Sequence, residues 1–160
     1  MRIYFYKVNA PYGCFSNFSP HSIWMPTSCG NDAIARWQTV EHYYQAYKFE
    51  GTKLAYLMPQ IQQASTPELA AKIGRESNHQ PRPDWDLCKC EIMYRAVWQK
   101  FRHHLDIQQV LLDTSDAEIV EDSPVDSFWG CGSDRNGTNH LGRILMQVRA
   151  DLQRDRLATL

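Results

Sequence analysis

At 160 residues the chain has room for one ordinary domain, and its 43% hydrophobic and 22% charged content is that of a globular protein able to bury a sizeable core. Seventeen Lys and Arg against eighteen Asp and Glu leave a net charge of −1, which disfavours a grip along a nucleic-acid backbone. The longest apolar run, residues 54–58, is far short of the roughly 20 residues of a membrane-spanning helix, and the N-terminus lacks a signal-peptide pattern, so a cytoplasmic location is expected.

The β-prone run Ile3-Tyr4-Phe5-Tyr6 predicts a strand within residues 2–8, broken by Pro11-Tyr12-Gly13. A second strand is expected around Ile23-Trp24, followed by a small polar run at 27–32 that reads as a loop joining two hairpin strands. Thr39 is a candidate N-cap for a helix over residues 40–50, with Gly51 as its stop. Residues 52–63 look helical, with Pro59 expected to kink or divide them. Ser65-Thr66-Pro67-Glu68 is a capped start with Pro at the first helical position, opening a helix to about residue 76.

Pro81 and Pro83 enforce a loop, and Asp84 is placed to cap the longest helix, from residue 85 to about 104, whose stripe includes Ala96, Val97 and Phe101. A short helix at 106–112 and a strand at 118–121 follow. Residues 122–139 form a loop with glycines at 130, 132 and 137, and Asn139 is placed to cap a final helix that buries Leu141, Val148 and Leu152. The expected fold class is α+β: a mostly helical single domain, residues 1–160, packed around a small β-sheet.

The five cysteines do not suggest a disulfide framework. Cys88-x-Cys90 lies on a predicted helix, where side chains two apart diverge by about 200°, and the adjacent His103-His104 diverge too. No metal site is expected.

Chemistry concentrates in two segments. On the helix of residues 40–50, Glu41, Gln45 and Lys48 fall within about 60° of arc, with Tyr44 beside them. A solvated charge array would show the same periodicity. Val40, Tyr43, Ala46, Tyr47 and Phe49 fill the other faces, however, so the polar stripe is expected to line a cleft, where a carboxylate and an amine suit acid–base or nucleophilic work. The second segment runs from Asp126 through Trp129-Gly130 to Asn139 and Arg143. A Gly-rich loop entering a helix offers free N–H groups and a dipole to a phosphate, and an aromatic plane beside exposed backbone suits stacking on a base. A surface loop with turn glycines accounts for it equally. Phe15-Ser16-Asn17-Phe18 adds two aromatics around an Asn.

Several of these residues carry a resemblance. Phe15-Ser-Asn-Phe18, Trp37-x-Thr-x-Glu-His-Tyr-x-Gln-Ala-x-Lys-Phe49, Ile73-Gly-Arg75, Trp85, Met93-x-x-Ala96, Ile119-Val-Glu121, Asp126-x-x-Trp-Gly130 and Gly137-x-Asn139-x-Leu-Gly-x-x-Leu-Met146 together resemble the NADAR family of YbiA-like N-glycosidases, over about residues 15–150. The resemblance implies a hydrolase for the bond between ribose C1′ and a nitrogenous base. Its substrates would be ADP-ribose attached to guanine bases, as in reversal of ADP-ribosylation and possible also within nucleic acid, or early riboflavin-pathway ribosylamino-pyrimidine or pyrimidinone phosphates. No cofactor, membrane or obligate protein partner is implied. Glu41 would be the essential carboxylate. Lys48 would be its partner or a nucleophile that forms an imine at C1′, and Asp126 a base or ribose-hydroxyl acceptor. Substrate contacts would fall to Asn17, Phe18, Tyr44, Trp129, Gly130 and Asn139, with Arg75 and Arg143 on phosphate. Direct hydrolysis and the imine route are both open. Against the enzyme stands a non-catalytic sensor of NAD or ADP-ribose, whose affinity would survive Glu41→Gln.

Overall fold

A computed structural model describes residues 1–27 and 33–158. The chain divides into two compact units: Met1–Ser19 with Phe101–Leu160, and Pro20–Lys100.

In the first unit β1 (Arg2–Phe5) lies parallel to β4 (Glu118–Glu121), with Ile3 opposite Ile119. Alternation along β1 buries Ile3 and Phe5 and exposes Arg2 and Tyr4, as a half-buried strand requires. Phe15, in the short turn Gly13–Phe15, packs edge-on between Phe5 at 5.7 Å and Phe101 at 6.0 Å. The helices α5 (Leu105–Asp113) and α6 (His140–Ala158) complete the unit. Leu141, Leu145, Val148 and Leu152 are the buried stripe of α6. On the same helix, buried Arg149 donates to Thr114 Oγ1 at 2.6 Å and to the Ala117 carbonyl at 2.9 Å, tying α6 to the turn before β4.

The second unit opens with the antiparallel hairpin β2 (Ile23–Pro26) and β3 (Ile34–Trp37). The expected polar loop of this hairpin, with Cys29, lies outside the described residues. Cys14, Cys88, Cys90 and Cys131 are free thiols. Instead of the one small sheet expected, the strands form two separate two-stranded sheets.

Helix α1 (Val40–Tyr47) starts where Thr39 Oγ1 accepts the His42 N–H at 3.3 Å, and it stops earlier than expected, with Lys48 at its C-cap. The chain turns through residues 48–50 before Gly51 takes φ 70°, a left-handed geometry natural to glycine. Pro59 does not divide a longer helix. Residues before it form turns, and it sits in the first turn of α2 (Leu57–Gln62), where its missing N–H removes no intrahelical bond. In α3 (Pro67–Gly74) Thr66 Oγ1 accepts from Leu69 N at 3.1 Å, with Pro67 in the first turn. Helix α4 (Trp85–His103) follows. Asp84 receives its backbone bonds from Leu87 and Cys88 through its carbonyl, and its carboxylate pairs with Arg82 at 2.6 Å instead of capping.

Candidate active site

Every residue of α1 is buried, polar ones included, which an ordinary amphipathic helix does not tolerate. One of its polar groups is structural. His42, fully buried, meets the Thr39 hydroxyl at 2.8 Å through Nδ1 and the Ala64 carbonyl at 3.1 Å through Nε2. Burial holds its pKa below the usual histidine value, so the neutral ring donates to the carbonyl and accepts from the hydroxyl. It fastens α1 to Ala64, two residues beyond α2.

The remaining groups include those the sequence singles out as candidates for the reactive set. Glu41 is 4% exposed, and its Oε1 accepts a 2.6 Å hydrogen bond from Gln45 Nε2, one helical turn along. The Arg75 guanidinium, at the end of α3 and largely exposed, stands 3.6 Å from the same oxygen. Lys48 Nζ donates to the Gly74 carbonyl at 3.3 Å and lies 5.7 Å from the centre of the Tyr44 ring, which in turn packs on Trp85 at 5.0 Å. Burial lowers the Lys48 pKa from 10.5 to about 8. Glu41 opposes that shift, while Arg75 and Lys89 reinforce it by repulsion. The sequence-derived set Glu41, Tyr44, Lys48 and Arg75 is therefore brought together in one unit, with an amine whose neutral form is within reach near neutral pH.

The structure adds two residues to that set. Gln45 was placed on the stripe by periodicity but given no role, and Gly74 was seen only as part of Ile73-Gly-Arg75. A glycine in the last turn of a helix was the available signal. A cleft of about 680 Å³ opens in the same unit on the opposite face of α1, lined in part by Tyr43, Tyr47, Arg82 and Arg95. It includes none of the reactive set, and its charges are already matched, Arg82 with Glu50 and Arg95 with Glu91. Chemistry favours the Glu41 face.

Asn17, Phe18, Asp126, Trp129, Gly130, Asn139 and Arg143 belong to the other unit. Asn17 is buried, Phe18 half-buried and Arg143 exposed. Much of the Gly-rich loop closes on itself instead of offering its N–H groups outward. The N–H groups of Cys131, Gly137, Thr138, Asn139, His140 and Leu141 donate to the carbonyls of Glu121, Cys131, Ser127, Gly130, Phe128 and Trp129, so the first two N–H groups of α6 are closed by the loop itself. Gly130 and Gly137 allow this folding-back: a Cβ on Gly137 would stand 2.6 Å from the Gly130 and Ser127 carbonyl oxygens. Asp126 Oδ1 accepts from Phe128 N at 2.9 Å and Trp129 N at 2.7 Å, an Asx turn that sets the Trp129 ring against Phe128 at 4.9 Å. Asn139 does not cap α6 with its side chain. Its amide bridges β4, accepting from Glu121 N at 3.0 Å and donating to the Ile119 carbonyl at 2.8 Å.

No described helix is long and apolar enough to cross a membrane. The NADAR domain model matches residues 4–153. An N-glycosidase of Nostoc punctiforme is 56% identical over 96% of this chain and 94% of its own. A chloroplastic riboflavin biosynthesis protein of Zea mays is 44% identical over 94% of this chain but only 25% of its own length. The NMR structure of Escherichia coli YbiA superposes with a TM-score of 0.81 at 35% identity, covering 98% of this chain and 89% of that one. The shared fold is α+β, and the chain belongs to the NADAR domain family.

Proposed function

We propose that the protein is an N-glycosidase that hydrolyses the C1′–N bond of a small ribosylated base, with Glu41 and Lys48 as its reactive pair. The observation that carries this reading is the pairing itself: a buried carboxylate and an amine whose pKa lies at about 8 on one helix face. A binding module gains nothing from such groups, whereas bond cleavage at C1′ uses both.

Cleavage builds positive charge at C1′, and the Glu41 carboxylate stabilises it. The neutral Lys48 amine bonds to C1′ as the bond to the base nitrogen breaks, and a proton passes to that nitrogen, releasing the base. The amine loses its proton, the ribose ring opens to an imine, and water adds to return the free sugar and the lysine. Arg75, largely exposed beside Glu41, is given the phosphate contact in this reading, which its exposure supports. Asn17, Phe18, Trp129 and Arg143 keep binding roles, and Asp126 a ribose contact, as the resemblance implies.

The kinship with riboflavin biosynthesis proteins supports a ribosylamino-pyrimidine or pyrimidinone phosphate as first substrate, with ADP-ribose on guanine as the second to try. A cytoplasmic site of action is part of this reading, resting on four free thiols of the kind a reducing compartment preserves.

The test is release of base and sugar from both substrates, followed by mass spectrometry with and without borohydride. Wild type is expected to turn over one of them, with a reduced sugar adduct on Lys48. Glu41→Gln should lose about 10²- to 10³-fold in kcat. Turnover without an adduct would replace the imine with direct hydrolysis led by Glu41. No release from either substrate by folded protein would end the enzymatic reading.

A further inference from the structure

Two residues with no direct part in that chemistry carry costs that folding alone does not explain. Gln45 is 1% exposed, and its Oε1 has no hydrogen-bond partner among the described residues. A buried unpaired carbonyl is destabilising, and a Met of nearly the same shape would remove the penalty. Gly74 ends α3 without the positive φ of a capping glycine, so Ala would serve the helix better. What glycine supplies there is space. A Cβ would overlap Gln45 Oε1 and stand 2.9 Å from Gln45 Cβ and Cδ.

Both costs have one result, at the reactive face. The Gln45 amide has a single usable orientation, because Nε2 donates to Glu41 Oε1 at 2.6 Å and a flip would set oxygen against oxygen. The carbonyl of Gly74, brought close to α1 by its missing side chain, accepts from Lys48 Nζ at 3.3 Å. We propose that Gln45 is a positioning residue for Glu41 and that Gly74 is the gap that seats it, so that one close approach between α1 and α3 fixes both reactive side chains. This rests on the reading of Glu41 and Lys48 as the reactive pair. Arg75 cannot substitute for Gln45. It is largely exposed and at 3.6 Å, where solvent screens it, whereas the Gln45 donor is buried and short.

The experiment compares wild type with Gln45→Met by melting temperature, steady-state kinetics and the titration of the Glu41 carboxyl, read by 13C NMR and assigned by its loss in Glu41→Gln. That titration is set against Lys48 on α1, Arg75 at the end of α3 and Lys89 on α4, which acts on Lys48; the substitution alters none of them. Expected are a melting temperature close to wild type, because relief of the unpaired Oε1 offsets loss of the donor to Glu41, kcat lower by about 100-fold with KM nearly unchanged, and a Glu41 titration about one pH unit higher. Gly74→Ala should raise the same titration, and should raise it no further in the Gln45→Ala background, where the amide it displaces is absent and only the 2.9 Å approach to Cβ remains. An unmoved Glu41 titration with wild-type kcat would overturn the proposal. So would a Gln45→Met chain that fails to fold, or whose kcat falls only in step with its melting temperature, since Gln45 would then be structural. If wild type releases no base, the functional reading falls alone, because the Glu41 titration still decides the positioning role.

Discussion

Helix α1 and the loop of residues 122–139 are both rich in polar groups, and they treat them in opposite ways. In the loop, backbone and side-chain groups answer one another: six N–H groups close on loop or β4 carbonyls, Asp126 caps two more, and Asn139 bridges β4. In α1 every residue is buried, deeper than most of the loop, and the answers are incomplete, leaving an amine with a depressed pKa at its C-terminal end and a carbonyl without a partner. Hydrogen bonds that close on themselves fix the shape of the loop, whereas polar groups buried at a loss make α1 the stronger candidate for chemistry. Glycine before a helix therefore marks an anion site only where the N–H groups stay open.

The contrast can be broken from either side. The largest effect is expected at Gly142, the α6 residue packed on β4, where a Cβ would overlap the Ile119 carbonyl oxygen. Gly142→Ala should cost about 3 kcal/mol in denaturant unfolding, because the obstacle is backbone and cannot swing aside. A loss below about 0.5 kcal/mol would show that β4 and α6 are looser than this packing implies.

The next effect belongs to α1. With its pKa lowered from 10.5 to about 8, Lys48 is charged in the unfolded chain but neutral in the native one between those values. The unfolded state then binds more protons, so native stability rises with pH across that window and is lost as pH falls through about 8. Lys48→Met should lack this rise. The rate should climb about tenfold between pH 7 and 9 as the amine deprotonates, and a flat profile would remove Lys48 as the nucleophile.

The smallest concerns Asp126. Asp126→Ala should cost about 1 kcal/mol by freeing the Phe128 and Trp129 N–H groups. Asp126→Asn keeps an acceptor and so should keep both the fold and kcat. A large fall in kcat with full stability would give Asp126 the catalytic role instead.

Caps and periodicity were legible because they are local. Thr39, and Thr66 with Pro67, declare the starts of α1 and α3, and the 3.6-residue repeat put Glu41, Gln45 and Lys48 on one face. The end of α1 was less so, since residues 48–50 differ from helix only in a tightening of the last hydrogen bonds, such as Phe49 N to the Ala46 carbonyl. Asn139 reads as a cap by residue type, yet its amide goes to β4, some twenty residues back. Nothing local distinguishes a loop glycine that opens toward an anion from one that lets carbonyls of its own loop approach. Two two-stranded sheets in place of one follow from β1 pairing with β4 across most of the chain while β2 and β3 pair locally.

That last feature bears on how the protein is made. Strand β1 leaves the ribosome well ahead of its hydrogen-bonding partner β4, which comes more than a hundred residues later. The segment Pro20–Lys100 is complete before β4 exists, while Ile3 and Phe5 wait with apolar faces uncovered. The unit built on this pairing thus closes late and over a long loop, a high-contact-order step of the kind that slows folding and prolongs the exposure of apolar surface.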